Sequence, residues 1–186
     1  MKNAAVWIRL LAGAIWLNGA LEKLLNPDFP KQFATALQMG AFINMAPAPV
    51  ASFMRTTVLP NAELFGQLTR VAELALGLAL LLGLFTNLAA LGSFLYSLLI
   101  LSTQGGVSLG TGLGSPQFFT IDLVVALISL IILLSPAAKA FSLDGVLLRR
   151  YPNLASLLLL RGRTTKQALQ GYSRRRARKP NRTSKA

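Results

Sequence analysis

Apolar residues fall along the chain in four runs: Ala4–Leu25, Leu64–Phe85, Leu88–Thr103 and Phe118–Leu134. A membrane-crossing helix needs about 20 apolar residues, within a range of roughly 17 to 25. The pattern therefore predicts an all-α integral membrane protein built as a four-helix bundle. The third run is short, so it must begin near Phe85 or accept a mismatch with the bilayer. Thr86 and Asn87 leave room only for a tight turn, which makes runs two and three an antiparallel hairpin. The first loop, Asn26 to Glu63, is also apolar in places. "FPKQFATALQMGAFINM" and "PVASFMRTTVLP" are broken by Pro30, Pro47, Pro49 and Pro60 and are too short to span. Interfacial or re-entrant helices that cap the bundle are expected there. "STQGGVSLGTGLGSPQ", Ser102 to Gln117, reads as a Gly-rich loop. It has neither a GxGxxG nor a Walker pattern and follows a helix, so it predicts no nucleotide site.

Small residues mark packing seams. Ala75, Ala79 and Gly83 recur every four residues in the second run, and Ala89, Ser93 and Ser97 do so in the third. Such stripes let helices approach closely in lipid. Gly13, Gly19 and Gly77 are assigned to packing as well.

Charge changes the picture at one end. Thirteen of the 19 Lys and Arg lie at or after Lys139, opposed there only by Asp144. The chain divides into a nearly neutral membrane domain, 1–138, and a basic tail, 139–186. Four spans put both termini on one side, and the positive-inside rule places that side in the cytoplasm. The first and third loops then face outward. A signal peptide is the rival reading of residues 1–21, but Arg9 within the run and the lack of a clean A-x-A site argue for a retained helix. In the tail, "LLRRYPNLASLLLLRGR" reads as an amphipathic surface segment and "YSRRRARKPNRTSKA" as disordered. Beside a membrane such a run binds anionic lipid, at about 1 kcal/mol per Lys or Arg. Tyr172 is the one aromatic in the "YSRRRARKPNRTSKA" run that could stack on bases, so nucleic acid is not expected as a partner.

There is no Cys and no His. Haem on His or Cys, iron–sulfur clusters, Cys/His zinc sites and disulfides are excluded within this chain, as are Ser-His-Asp and Cys-His nucleophiles. The acids form no DxDxD-like cluster, so no metal is expected.

What remains is a set of charges in apolar helices. Arg70 and Glu73 sit three residues apart on one helix face. Counted from Leu64 they lie roughly 9 and 14 Å deep. Asp122 lies about 6 Å from the same end on the fourth helix. Glu22, Lys23 and Asn18 close the first helix at that end, while Arg9 stands apart near the other. A charge at a helix centre costs about 2.5–3.5 kcal/mol on insertion scales, so these groups are expected to pair or to line a wet cavity. Two bases, Lys23 and Arg70, face three acids, and the deepest acid, Glu73, is the candidate proton carrier. Arg70 is expected to neutralise Glu73 locally. The bland alternatives are a structural Arg70–Glu73 lock, snorkelling of Glu22, Lys23 and Arg9 to the interface, and Asp122 as a first-turn acid on the fourth helix.

"IRLLAGAIWLNGALEKLLNPDF", "VLPNAELFGQLTRVAELALGLALLLGLFTNLAALG" and "AAKAFSLDGVL" together resemble the DoxX/DoxD-like family. The resemblance is nearest to the DoxD-type small subunit of thiosulfate:quinone oxidoreductase. The matching residues are Arg9, Gly13, Gly19, Lys23, Pro60, Asn61, Glu73, Gly77, Gly83, Phe141, Asp144 and Gly145. The pattern covers roughly residues 5 to 148, and the basic extension from about Arg149 has no counterpart in it. The resemblance implies a four-helix protein of a bacterial or archaeal cytoplasmic membrane. It implies a second redox subunit and electron transfer from thiosulfate to quinone, giving tetrathionate. The family carries over no agreed catalytic residues, so the candidates come from the buried charges themselves: Glu73, Arg70 and Lys23 as catalytic, and Arg9, Asn18 and Asp122 as quinone- or anion-binding, with Arg9, Lys23 and Glu73 also matching the pattern. Quinone is the co-substrate, with Trp7, Trp16 and Tyr96 as candidates to line its ring. A homo-oligomer is compatible. A non-catalytic scaffold or assembly protein and a small-anion transporter using Arg70 and Lys23 are the alternatives.

Overall fold

The computed structural model describes residues 2–103, 120–135, 138 and 142–150. Most of the predicted Gly-rich loop, 104–117, and the tail from 151 onward lie outside the described residues. Among the described residues seven α-helices follow in order: α1 Lys2–Leu25, α2 Phe29–Gln38, α3 Ala48–Phe53, α4 Ala62–Leu82, α5 Thr86–Thr103, α6 Ile121–Leu134 and α7 Leu143–Arg150. Among the described residues there is no strand.

Three stretches are long and apolar enough to cross a membrane: Ala4–Leu25, Ala48–Leu82 and Thr86–Thr103. Their outward positions carry large apolar side chains such as Trp7, Leu25, Leu64, Val71 and Leu95, as a lipid-facing surface requires. The fourth apolar helix, α6, has 14 residues, fewer than a perpendicular span needs. Thr120 caps it, its hydroxyl accepting from the Leu123 N–H at 3.3 Å, while Asp122 sits in the first turn.

The second spanning stretch differs from expectation. "PVASFMRTTVLP" is not a separate cap: α3 runs through a π turn, Met54–Val58, and a 3-10 turn, Leu59–Asn61, directly into α4. Pro60 has no N–H to bond to the carbonyl four residues back, and its ring would crowd that turn of a regular helix. The local widening and tightening carry the helical path past it.

The α1–α4 pair is antiparallel and very close. A Cβ at Gly77 would stand 2.8 Å from the Leu17 backbone nitrogen, and one at Gly13 would stand 2.8 Å from that of Leu81. These two glycines let the backbones approach. The seam on α4 runs through Gly66, Arg70, Glu73, Gly77 and Leu80. The predicted Ala75–Ala79–Gly83 stripe is not the seam, since Ala75 is exposed. On α5 the expected stripe of Ala89, Ser93 and Ser97 is buried. Ser93 meets Ser129 of α6 at 2.6 Å, and the Trp16 indole N–H donates to the Ser93 hydroxyl at 2.6 Å. One hydroxyl thus ties three helices.

The α4–α5 turn is Gly83–Phe85, two to three residues before the predicted Thr86–Asn87; those two residues open α5 and are buried. Gly83 takes φ +65°, the left-handed conformation that ends helices. Its carbonyl accepts from the Asp144 N–H at 3.0 Å. The Asp144 carboxylate accepts from the N–H groups of Phe85 and Thr86, both at 2.7 Å, and so caps α5. Arg9 is buried beside this turn and donates to the Ala138 carbonyl at 3.0 Å, with Asp144 in electrostatic reach. At the other end, α2, α3 and the π turn pack a second apolar cluster of Leu37, Ile43, Met54, Val58 and Ala62.

Candidate functional site

The second cluster and the main bundle leave a cavity of about 670 Å³ between them. That is within the roughly 300–1,000 Å³ typical of ligand sites. Along α4 it follows Phe65, Thr69 and Glu73, four residues apart on one face. Along α1 it follows Ile15, Gly19 and Lys23 in the same way. Each set spans about 12 Å of helix rise. The floor is aromatic, with the Trp16 and Tyr96 rings stacked at 5.3 Å and 26°.

In this wall Lys23 Nζ donates to Glu73 Oε2 at 2.8 Å, an ion pair across the α1–α4 seam. Glu73 is 5% exposed at its side chain and Lys23 23%, so the pair joins a buried carboxylate to a half-buried ammonium. The ammonium also donates to the Gly19 carbonyl at 3.3 Å and lies 5.7 Å from the centre of the Phe29 ring. Gly19 makes room for the pair, since a Cβ there would stand 2.9 Å from Glu73 Oε2. Asn18 and Asp122 also line the cavity, and Glu22 and Asp122 are both in electrostatic reach of Glu73. Structure and sequence agree that Lys23, Glu73, Asn18 and Asp122 converge at one end of the bundle.

Arg70 is placed differently. It is buried, but it does not pair with Glu73. Nη1 donates to Gln67 Oε1 at 3.1 Å, Nη2 donates to the Asn26 carbonyl, and the guanidinium lies 5.6 Å from the Phe29 ring centre. The physical reason is direction: helical side chains lean toward the helix N-terminus, so Arg70 points to Gln67 and away from Glu73. Arg70 therefore stands behind Phe29 and is not among the residues lining the cavity. Arg9 is not among them either, being at the far end beside Gly83. Of the aromatic candidates Trp16 and Tyr96 line the cavity, whereas Trp7 is 70% exposed on the outer face.

Sequence reasoning missed the phenylalanines. Phe29, Phe33, Phe42, Phe53 and Phe65 all reach the cavity. The signal was present in α2, where Phe29, Phe33 and the buried Leu37 are four residues apart. The pocket thus combines a largely apolar wall with a polar group of Lys23, Glu73, Asn18 and Asp122 at one end, an arrangement that suits a flat, polar-edged ligand able to accept a hydrogen bond and a proton.

Comparison with known proteins gives one finding on family. The model of the family described as "TQO small subunit DoxD" matches residues 5–166. The match runs past residue 148, so the first part of the basic segment belongs to the family pattern after all. No curated protein and no solved structure matches. The chain belongs to the DoxD family.

Proposed function

We propose that this DoxD-family chain is the membrane subunit of a quinone-linked oxidoreductase, and that its cavity holds the quinone ring beside Lys23 and Glu73. The observation that carries the reading is the 2.8 Å ion pair set into a cavity wall that is mostly aromatic and aliphatic, with Asn18, Thr69 and Asp122 beside it. Reducing a quinone to a quinol takes two electrons and two protons. The Lys23 ammonium is suited to donate a hydrogen bond to a ring carbonyl, and Glu73, protonated from water before each transfer, to pass the two protons in turn to the reduced oxygens. Trp16 and Tyr96 supply the apolar face for the ring. Lys23, the more exposed member, connects Glu73 with water for reprotonation.

The electron donor in this reading is thiosulfate: two thiosulfate ions give tetrathionate and two electrons. The chain has no thiol to hold sulfur. Among the described residues the cavity is lined by two acids, Glu73 and Asp122, and one base, Lys23, which is already paired with Glu73, a setting that disfavours a dianion. Thiosulfate oxidation is therefore assigned to a second subunit. The same setting weighs against the anion-transporter alternative. The location proposed is a bacterial or archaeal cytoplasmic membrane with both termini cytoplasmic and the basic tail on anionic lipid.

The test is thiosulfate-dependent quinone reduction in native membranes. Wild type, a deletion strain, and the deletion restored with Glu73→Gln at matched protein level are compared. Activity should vanish in the deletion, and Glu73→Gln should restore it only to a level on the order of 100-fold below wild type. A deletion strain that reduces quinone as well as wild type overturns the reading in favour of a scaffold.

A further inference from the structure

The cavity extends well beyond its ion pair, and its chemistry is divided. Lys23, Glu73, Asn18 and Asp122 gather on the bundle side, above Trp16 and Tyr96. The wall supplied by α2, the turn after it, α3 and the π turn is mainly Phe29, Phe33, Phe42, Phe53, Met54 and Val58, with Gln32 its one polar side chain. Phe29 and Phe33 stack at 6.1 Å, and Phe33 and Phe42 are again 6.1 Å apart, so the rings form one continuous surface. Phe42 holds φ +63°, a left-handed backbone that a bulky residue adopts only under strain. Such strain is characteristic of ligand clamps. Phe42 and Phe53 are also 38% and 46% exposed, which marks the mouth.

We infer that this phenylalanine channel is a separate subsite, which takes the isoprenoid tail of a prenylated quinone while the ring sits at Lys23 and Glu73. The inference rests on the quinone reading above and extends it from the ring to the tail. A ring alone would leave the channel unfilled, and rings spaced along a cavity suit a long apolar chain. A phospholipid acyl chain has the same apolar character, but its phosphate would enter a polar end lined by the carboxylates of Glu73 and Asp122. The head group admitted there is neutral.

Trp16 gives a direct readout. The chain has two tryptophans, and Trp7 points outward, away from the cavity. Trp7→Phe in the full chain leaves Trp16 as the sole indole, 5.3 Å from Tyr96 in the cavity floor. In phosphatidylcholine nanodiscs its fluorescence is titrated with a tailless dimethoxy-methyl-benzoquinone and with the derivative carrying two isoprene units. The tailed quinone should quench at lower concentration. Because the tail also partitions into lipid, the deciding quantity is the ratio of the two apparent affinities. Phe53→Ser and Phe33→Ala should each cut that ratio, by roughly tenfold for loss of one phenyl contact, with tailless binding unchanged. Phe53 is half exposed, so its replacement keeps the test valid even where Phe33→Ala impairs folding. A ratio unchanged in both variants, or a loss shared equally by the two quinones, overturns the tail subsite and leaves the ring site standing. No quenching of Trp16 by either quinone overturns the ring site and the tail subsite together.

Discussion

Among the described residues Lys23 is the one basic side chain lining the cavity, and it closes a pair whose other half is almost fully enclosed. Removing one member of such a pair strands the other. Lys23→Met leaves the Glu73 carboxylate without its ammonium and should lower the unfolding free energy of the solubilised protein by about 1–3 kcal/mol. The Lys23→Met/Glu73→Met double variant should recover part of that loss, because two apolar side chains strand no charge. Thermal denaturation of the two single variants and the double closes this cycle; strict additivity would mean that the pair carries no coupling. Glu73 was legible in the sequence as a deep acid because depth follows from counting residues along a helix. Its partner was not, because i,i+3 spacing puts Arg70 on the same face without saying which way the guanidinium leans. The actual partner is 50 residues away and depends on how α1 and α4 are set against each other.

At the scale of elements, the four apolar runs were legible because hydropathy alone reports them. The identity of the α1–α4 seam was not. Gly77 and Gly13 were recognised as packing residues, yet the alanine stripe competed with them, and composition cannot fix the rotation of a helix about its own axis. Gly77→Leu should separate α1 from α4, since a Cβ alone already meets the Leu17 backbone at 2.8 Å. A cost of about 1–3 kcal/mol is expected from overpacking. The shift is also expected to pull Lys23 from Glu73, lowering quinone reduction more than the loss of folded protein explains. Asp144 is the other element-scale surprise. In the sequence it was a residue of the tail's edge; in the fold it is wholly buried and caps α5 with two 2.7 Å bonds. Asp144→Asn keeps the shape but loses the charge and one acceptor, and should destabilise by about 1.5–3 kcal/mol, read as a lowered thermal midpoint.

The whole molecule is longer on one side than a bilayer core is thick. The 35-residue path Ala48–Leu82 rises about 52 Å if helical throughout, against a hydrocarbon core of about 30 Å. An upright helix of that length leaves about 22 Å outside the core, and in the orientation proposed above the overhang is the outer, first-loop end, where Arg55 is exposed. Because the chain has no native Cys, each introduced cysteine is a single reporter. In intact cells, Arg55→Cys should react with a membrane-impermeant maleimide and Leu78→Cys, on the apolar face of α4, should not. Labelling of Arg55→Cys only after cell lysis would reverse the proposed orientation. The cap on α5 bears on how the protein is made. The Thr86 amide waits for a carboxylate 58 residues further along the chain. At a synthesis rate of about 5–20 residues per second, that interval is roughly 3–12 s. Throughout it the turn between α4 and α5 lacks its cap, so the ribosome must deliver α6 and the start of α7 before that turn can be locked.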